Sequence, residues 1–349
     1  MDLKNCEMIS SILTEKKPDI VIHLGAMTGV DLCEKEKTSA SEINTKATEI
    51  IAKECSKLNS FLVYVSTDYV FDGNFGMYKE DDVANPLGFY GKSKLEGEQA
   101  VQNFSTNWCI ARTSTPFGLH PTKKSFPIWV IENLQKQKQI DVLTDQFTSP
   151  TYVPSLSRML IEISERHLTG IIHVAGASKI SRYEMASLVS DKLGLDGKLL
   201  REISINDIKW EAQRPKDSSL NVSKAISILN QKPQKIDHDV NLFIDEIKKN
   251  TNIHLSLIPH LSEKTNIIKY MNLSAKFKKK QDVIVIGVNS KGINWVVDQL
   301  SVILNDSILP TILMLTIGLS GYDNKYELLV DTLESLLNVS YKQLTMPTN

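Results

Sequence analysis

The chain has 349 residues, 42% of them hydrophobic and 23% charged, with a formal net charge of -1. That length allows two domains and a sizeable core, and the near-neutral balance leaves no general electrostatic footprint for nucleic acid or an anionic membrane. Four cysteines (Cys6, Cys33, Cys55, Cys109) have neither metal-ligand spacing nor the density of a disulfide framework, which suits a reducing compartment. The most apolar run, residues 308–319, is interrupted by Pro310 and falls short of the roughly 20 residues a bilayer requires. No signal peptide is visible, so a soluble cytoplasmic protein is expected. The basic run K-F-K-K-K at 276–280 reads as a solvated segment before a strand.

In chain order, residues 1–17 predict a helix with Met8, Ile9, Ile12 and Leu13 on one side, stopped by Pro18. D-I-V-I-H-L at 19–24 predicts a short buried strand, with His23 a packed residue. G-A-M-T-G-V-D at 25–31 follows, small enough for a ligand to approach the backbone. It fits a plain strand-to-helix loop equally well. A helix is predicted over 41–58, then a β-branched and aromatic run, F-L-V-Y-V at 61–65, of the kind buried on both faces. That strand ends in Ser66, Thr67 and Asp68, at the end where open parallel sheets bind ligands. A loop rich in Gly, Asn and Asp leads to Asn85-Pro86 and a helix opening with Y-G-K-S-K at 90–94.

Tyr90 and Lys94 are four apart, which puts both on one helix face that can point back at Thr67. A free phenol titrates near pKa 10 and is a poor acid or base at neutral pH. A nearby ammonium favours the phenolate and brings the group towards general acid/base work. A threonine hydroxyl beside it can hold a carbonyl oxygen. A lone Y-x-x-x-K also describes an ordinary surface pair; the preceding strand-terminal S-T-D favours the catalytic reading.

V-S-T-D-Y-V-F-D-G followed by N-P-x-x-x-Y-G-x-S-K-x-x-G-E resembles the extended short-chain dehydrogenase/reductases, and within them the dTDP-4-dehydrorhamnose reductase family. The resemblance implies an α/β fold, a Rossmann-like doubly wound parallel sheet with a small substrate-binding lobe. It implies NADPH or NADH as cofactor, and a nucleotide-linked 4-keto-6-deoxysugar as substrate, reduced at C4. Thr67, Tyr90 and Lys94 become the catalytic group. Ala26, Met27, Thr28, Val65, Tyr90 and Lys94 become cofactor contacts, and Thr67, Asp68, Thr115 and Arg214 substrate contacts. Asn44 falls at the family's asparagine near the start of its helix. NADH versus NADPH and the sugar stay open, as does a homodimer.

Three departures accompany the likeness. The resemblance covers about residues 18–249, and no glycine-rich pyrophosphate turn precedes Asp19. The expectation is a fold lacking its first βα units, through a misplaced start or through loss of cofactor binding. The strand at 19–24 is then expected to show an open apolar edge. Second, R-T-S-T at 112–115 carries Thr115 where the family pattern has a tryptophan, which removes an aromatic platform. Third, residues 250–349 fall outside the resemblance. Two apolar strands, at 279–288 and 311–316, alternate there with helices at 293–304 and 325–337, as in a partial βαβ unit. D-V-I-V-I-G-V-N-S resembles part of the NAD-binding domain of NAD-dependent glycerol-3-phosphate dehydrogenases, with Asn289 for proline and Ile317 for lysine as departures.

The predicted organisation is therefore a truncated cofactor domain at 1–150, a substrate lobe at 151–249 and the partial unit at 250–349. Before the lobe, a strand is expected at 108–112 and a helix at 126–137. Within it, D-Q-F-T-S-P-T at 145–151 and R-P-K-D-S-S-L at 214–220 match family patterns. Arg214 suits either a nucleotide phosphate or a structural cap of the lobe. Two further functions stay open, a non-catalytic relative that binds a sugar nucleotide or a protein, and a glycerol-3-phosphate dehydrogenase-like activity through the last hundred residues.

Overall fold

The structure, a computed structural model, describes residues 2–119, 124–250, 283–286 and 313–315. Six parallel strands form the main sheet: β1 (Ile20–His23), β2 (Phe61–Thr67), β3 (Trp108–Thr113), β4 (Gly170–His173), β5 (Val283–Ile286) and β6 (Leu313–Leu315). Their order is β6-β5-β1-β2-β3-β4. Side chains alternate across each strand, so successive residues feed different cores. Val21, Leu62, Tyr64 and Ile110 meet helices α1 (Cys6–Lys16), α3 (Ala47–Leu58) and α4 (Phe89–Phe104) through Ile9, Leu13, Ile51 and Val101. Ile20, Ile22, Phe61 and Val63 pack on the other face against Leu156, Leu160 and Ile163 of α6 (Val153–Glu165). Helices on both faces of a parallel sheet make the fold an α/β doubly wound one.

The edge expected to be open at β1 is paired. β5 lies parallel to β1 in the register Ile20↔Val283 to His23↔Ile286, and β6 adds outside it. The backbone groups of β1 are hydrogen-bonded on both sides, to β5 and to β2, so the far end of the chain supplies the missing neighbour. From β1 the connections step towards β4, while β5 and β6 lie on the opposite side. The strand order thus reverses between β5 and β1, a topological switch point. The helices expected at 293–304 and 325–337 lie outside the described residues.

The helix expected over 41–58 is interrupted. Short helices at Val30–Lys35 (α2) and Lys37–Ser41 precede a π-helical turn, Glu42–Lys46, and only then does α3 run regularly. Such wide turns mark places where a side chain has been re-aimed. Here the residue is Asn44. The lobe consists of α5 (Phe126–Gln135), α7 (Arg182–Leu193), α8 (Ile236–Asn250) and a parallel pair, Ile140–Leu143 with Leu200–Ile203. Its core is Phe117, Ile131, Met185, Val189, Val240 and Phe243.

Candidate active site

The site forms at the carboxyl ends of β1 and β2, where α4 crosses them. After β1 the chain runs through Ala26 and Met27, both buried, to the half-exposed Thr28. Asn44 fixes this loop: its Oδ1 accepts from Met27 N at 2.7 Å and its Nδ2 donates to Met27 O at 3.0 Å. The same Nδ2 donates to Ser93 Oγ on α4 at 2.9 Å. One amide thereby locks the loop, the π turn and the helix carrying Tyr90 into a single unit.

Lys94 lies one turn into α4 and is 2% exposed. Its Nζ donates to the carbonyl of Val65 at 2.8 Å and sits 4.0 Å from the centre of the Tyr64 ring. Burial pulls the ammonium down to about 7, against an opposing pull from the Glu98 carboxylate. Glu98 itself forms a two-point ion pair with Arg112 of β3, at 2.9 Å and 2.7 Å, with both residues buried.

Tyr90 and Thr67 come together, the Thr67 side chain close enough to the phenol to pull its pKa down. The Tyr90 ring meets Tyr69 edge-on at 5.9 Å. Burial raises the phenol above its ordinary value, the nearby Thr67 side chain works against that, and the Asp68 charge adds to it. The lowering expected from Lys94 is therefore not the dominant influence: the ammonium is turned to Val65 O and burial decides. A phenol so placed is fully protonated at neutral pH, the form that donates.

Asp68 is buried at 3% exposure and serves as a hub of hydroxyls. Its Oδ1 accepts from Thr67 Oγ1 at 3.1 Å, and its Oδ2 from Ser114 at 2.8 Å and Ser218 at 2.6 Å. Burial raises its pKa while these three bonds hold it back. The carboxylate orients Thr67, and through Ser114 and Ser218 ties β2 to β3 and to the lobe. Ser114 and Ser218 were not legible in the sequence as site residues, being 46 and 150 positions from Asp68.

Arg214 is paired within the protein. It donates to Asp31 Oδ2 at 2.7 Å and to Ala212 O at 2.6 Å, and lies over the Trp210 ring at 4.8 Å. That is the structural alternative, a clamp between lobe and α2. Thr115 lines a small, solvent-open pocket with Phe117, Phe126, Thr148, Ser181 and Arg182. Its φ is 41°, the left-handed region, an outlier for a β-branched residue and of the kind that clusters at ligand sites. Arg182, at the start of α7, went unnoticed in the sequence because R-Y-E after a capping serine reads as an ordinary first helical turn. Among the described residues, the site thus joins a proton-donating phenol, a hydroxyl, a buried ammonium and a lobe pocket.

Known proteins resemble the chain over most of the described residues. A dTDP-4-dehydrorhamnose reductase of Aggregatibacter actinomycetemcomitans is 34% identical over 236 residues, covering 64% of this chain and 80% of that protein. Methionine adenosyltransferase 2 subunit beta of Xenopus tropicalis is 32% identical over 233 residues, 64% of this chain and 69% of that one. Among solved structures, the dTDP-4-dehydrorhamnose reductase of Bacillus anthracis, in complex with NADP, superposes with a TM-score of 0.67 at 29% identity, covering 70% of this chain and 87% of that one. The family described as the RmlD substrate binding domain matches residues 1–249, and the chain belongs to it.

Proposed function

We propose that the protein is an NAD(P)H-dependent reductase of the short-chain type acting on the C4 carbonyl of a nucleotide-linked 6-deoxysugar. The observation that carries this reading is the closeness of the Tyr90 and Thr67 side chains at the end of β2, with the buried Lys94 one helical turn on. The described residues fit the nicotinamide end of such a cofactor. Lys94 Nζ has three N–H donors and spends one on Val65 O, which leaves donors for ribose hydroxyls. Ala26 and Met27 offer a small, rigid backbone surface fixed by Asn44. A reduced nicotinamide, when bound, supplies the hydride.

The chain's own residues supply the rest. Thr67 has a single hydroxyl proton, directed to Asp68 in this structure. Turning it from Asp68 to the incoming carbonyl oxygen gives that oxygen one donor, and the Tyr90 O–H gives the second. As negative charge develops on the oxygen, Tyr90 yields its proton to it. The protonated Lys94, close by on the same helix, stabilises the resulting phenolate. Thr115, with no aromatic face to offer, leaves room beside the sugar and bears on which sugar is used.

The test is loss of nicotinamide absorbance with a dTDP-4-keto-6-deoxysugar, for the parent and for Tyr90→Phe. Donation by a positioned acid is worth roughly 10²–10⁴ in rate, so turnover should fall by that factor. One lost hydrogen bond costs only about 1 kcal/mol of stability. Undiminished turnover in Tyr90→Phe removes the assigned role. The identity to a methionine adenosyltransferase beta subunit favours one second reading, a non-catalytic subunit that binds a partner protein. Cofactor binding by the parent without turnover on any 4-keto sugar selects it. The reductase reading carries with it a cytoplasmic location and the homodimer left open above.

A further inference from the structure

Arg182 is the first residue of α7, whose cap is Ser181. A cation in the first turn of a helix opposes the macrodipole, so its placement asks for a reason. Its Nε reaches Gln146 Oε1 at 3.4 Å, and its guanidinium lies 5.1 Å from the centre of the Phe126 ring. Neither contact carries negative charge. The acidic groups it senses are the Asp68 carboxylate and the Tyr69 phenol. The Asp68 oxygens are already taken by Thr67, Ser114 and Ser218. Arg214, by contrast, is neutralised by Asp31 at 2.7 Å.

Arg182 is therefore a partly buried guanidinium with no ion pair among the described residues, and it lines the Thr115 pocket. Arg182 is within electrostatic reach of Tyr69 and Asp68, and the Tyr69 ring meets that of Tyr90 edge-on at 5.9 Å. The pocket is small and opens to solvent, so what it can receive is one section of a longer molecule lying across the lobe. A guanidinium offers the planar fork that suits phosphate oxygens, and an anion here would also relieve the conflict with the helix dipole.

We propose that Arg182, not Arg214, is the anion-binding residue of the lobe, and that it holds the diphosphate of the nucleotide while the sugar reaches Tyr90 and Thr67. The proposal rests on the sugar-nucleotide reading above for the identity of the diphosphate. Calorimetry on the full chain, with dTDP, UDP and inorganic pyrophosphate as separate probes, tests it. The parent should bind at least one of them. Arg182→Gln should weaken that binding tenfold or more, Arg182→Lys should recover part of it, and Arg214→Gln should change it less than threefold. Binding of NADPH, measured on the same samples, should be unchanged in Arg182→Gln, which separates loss of the subsite from misfolding.

A parent that binds none of the three probes overturns the proposal, as does an Arg182→Gln variant that binds them like the parent, or a larger loss in Arg214→Gln. Diphosphate binding that depends on Arg182, in a protein that reduces no keto sugar, supports the subsite and overturns the reductase instead.

Discussion

Replacing Glu98 by Gln tests the electrostatic frame under the site. Glu98 and Arg112 are both buried and share hydrogen bonds of 2.9 Å and 2.7 Å. Arg112 also lies over the Phe71 ring at 5.1 Å and reaches Glu80 O at 3.4 Å, contacts that place the guanidinium without neutralising it. Breaking such a pair from one side leaves a buried charge and costs about 3–5 kcal/mol. The amide keeps one acceptor, so Glu98→Gln should fall near the lower end, about 3 kcal/mol. That is a large part of the roughly 5–15 kcal/mol by which a domain is stable. Urea unfolding followed by tryptophan fluorescence measures it. Removing both charges together, in Glu98→Leu/Arg112→Met, should recover much of the loss. Glu98 also holds the Lys94 ammonium up, so in Glu98→Gln any rate that needs protonated Lys94 should decline at lower pH than in the parent. A loss below about 1 kcal/mol with an unmoved pH profile would refute the reasoning, because Arg112 would then be solvated by something other than Glu98.

Two more outcomes follow from the same region. Lys94 is held at about 7 in the folded chain, below its free value, so above pH 7 the unfolded chain binds a proton that the folded one has released. Stability should therefore rise from about pH 7 to 8.5 and be lost as pH falls back through 7. Lys94→Met should flatten that slope, and equal slopes in urea titrations across the window would contradict the burial argument. The window stops at 8.5 because the buried thiols of Cys55 and Cys109, raised by burial, add an opposite slope above it. At Gly97 an added Cβ would overlap the Tyr64 hydroxyl and stand 2.7 Å from Asn44 O. Gly97→Ala should push α4 off the sheet at a cost of about 1–3 kcal/mol and weaken NADPH binding. An unchanged melting temperature counts against that packing.

What the sequence made legible was local. The β-branched runs of β1 and β2 announced buried strands, and the spacing of Tyr90 and Lys94 announced a shared helix face beside Thr67. What it hid was set across distance. Asp68 reads as a strand-end carboxylate, and nothing near it tells that hydroxyls at 114 and 218 will occupy its oxygens. Arg214 and Arg182 look alike as isolated arginines. Their surroundings separate only when Asp31, 183 positions away, is seen against the first. Asn44 was visible by family likeness, whereas the π turn that aims it has no propensity signature. The pairing of β5 with β1 was the least legible of all, since an apolar strand carries no mark of its neighbour.

That pairing has a consequence for how the molecule comes into being. Ile20 leaves the ribosome early and waits for Val283, its partner across the sheet. During elongation, at about 5–20 residues per second, the nascent domain holds a bare row of amide and carbonyl groups at what will become its interior. Contacts of such wide separation are slow to close, and an unpaired strand edge invites other chains. Productive biogenesis thus depends on shielding that seam until the last hundred residues arrive.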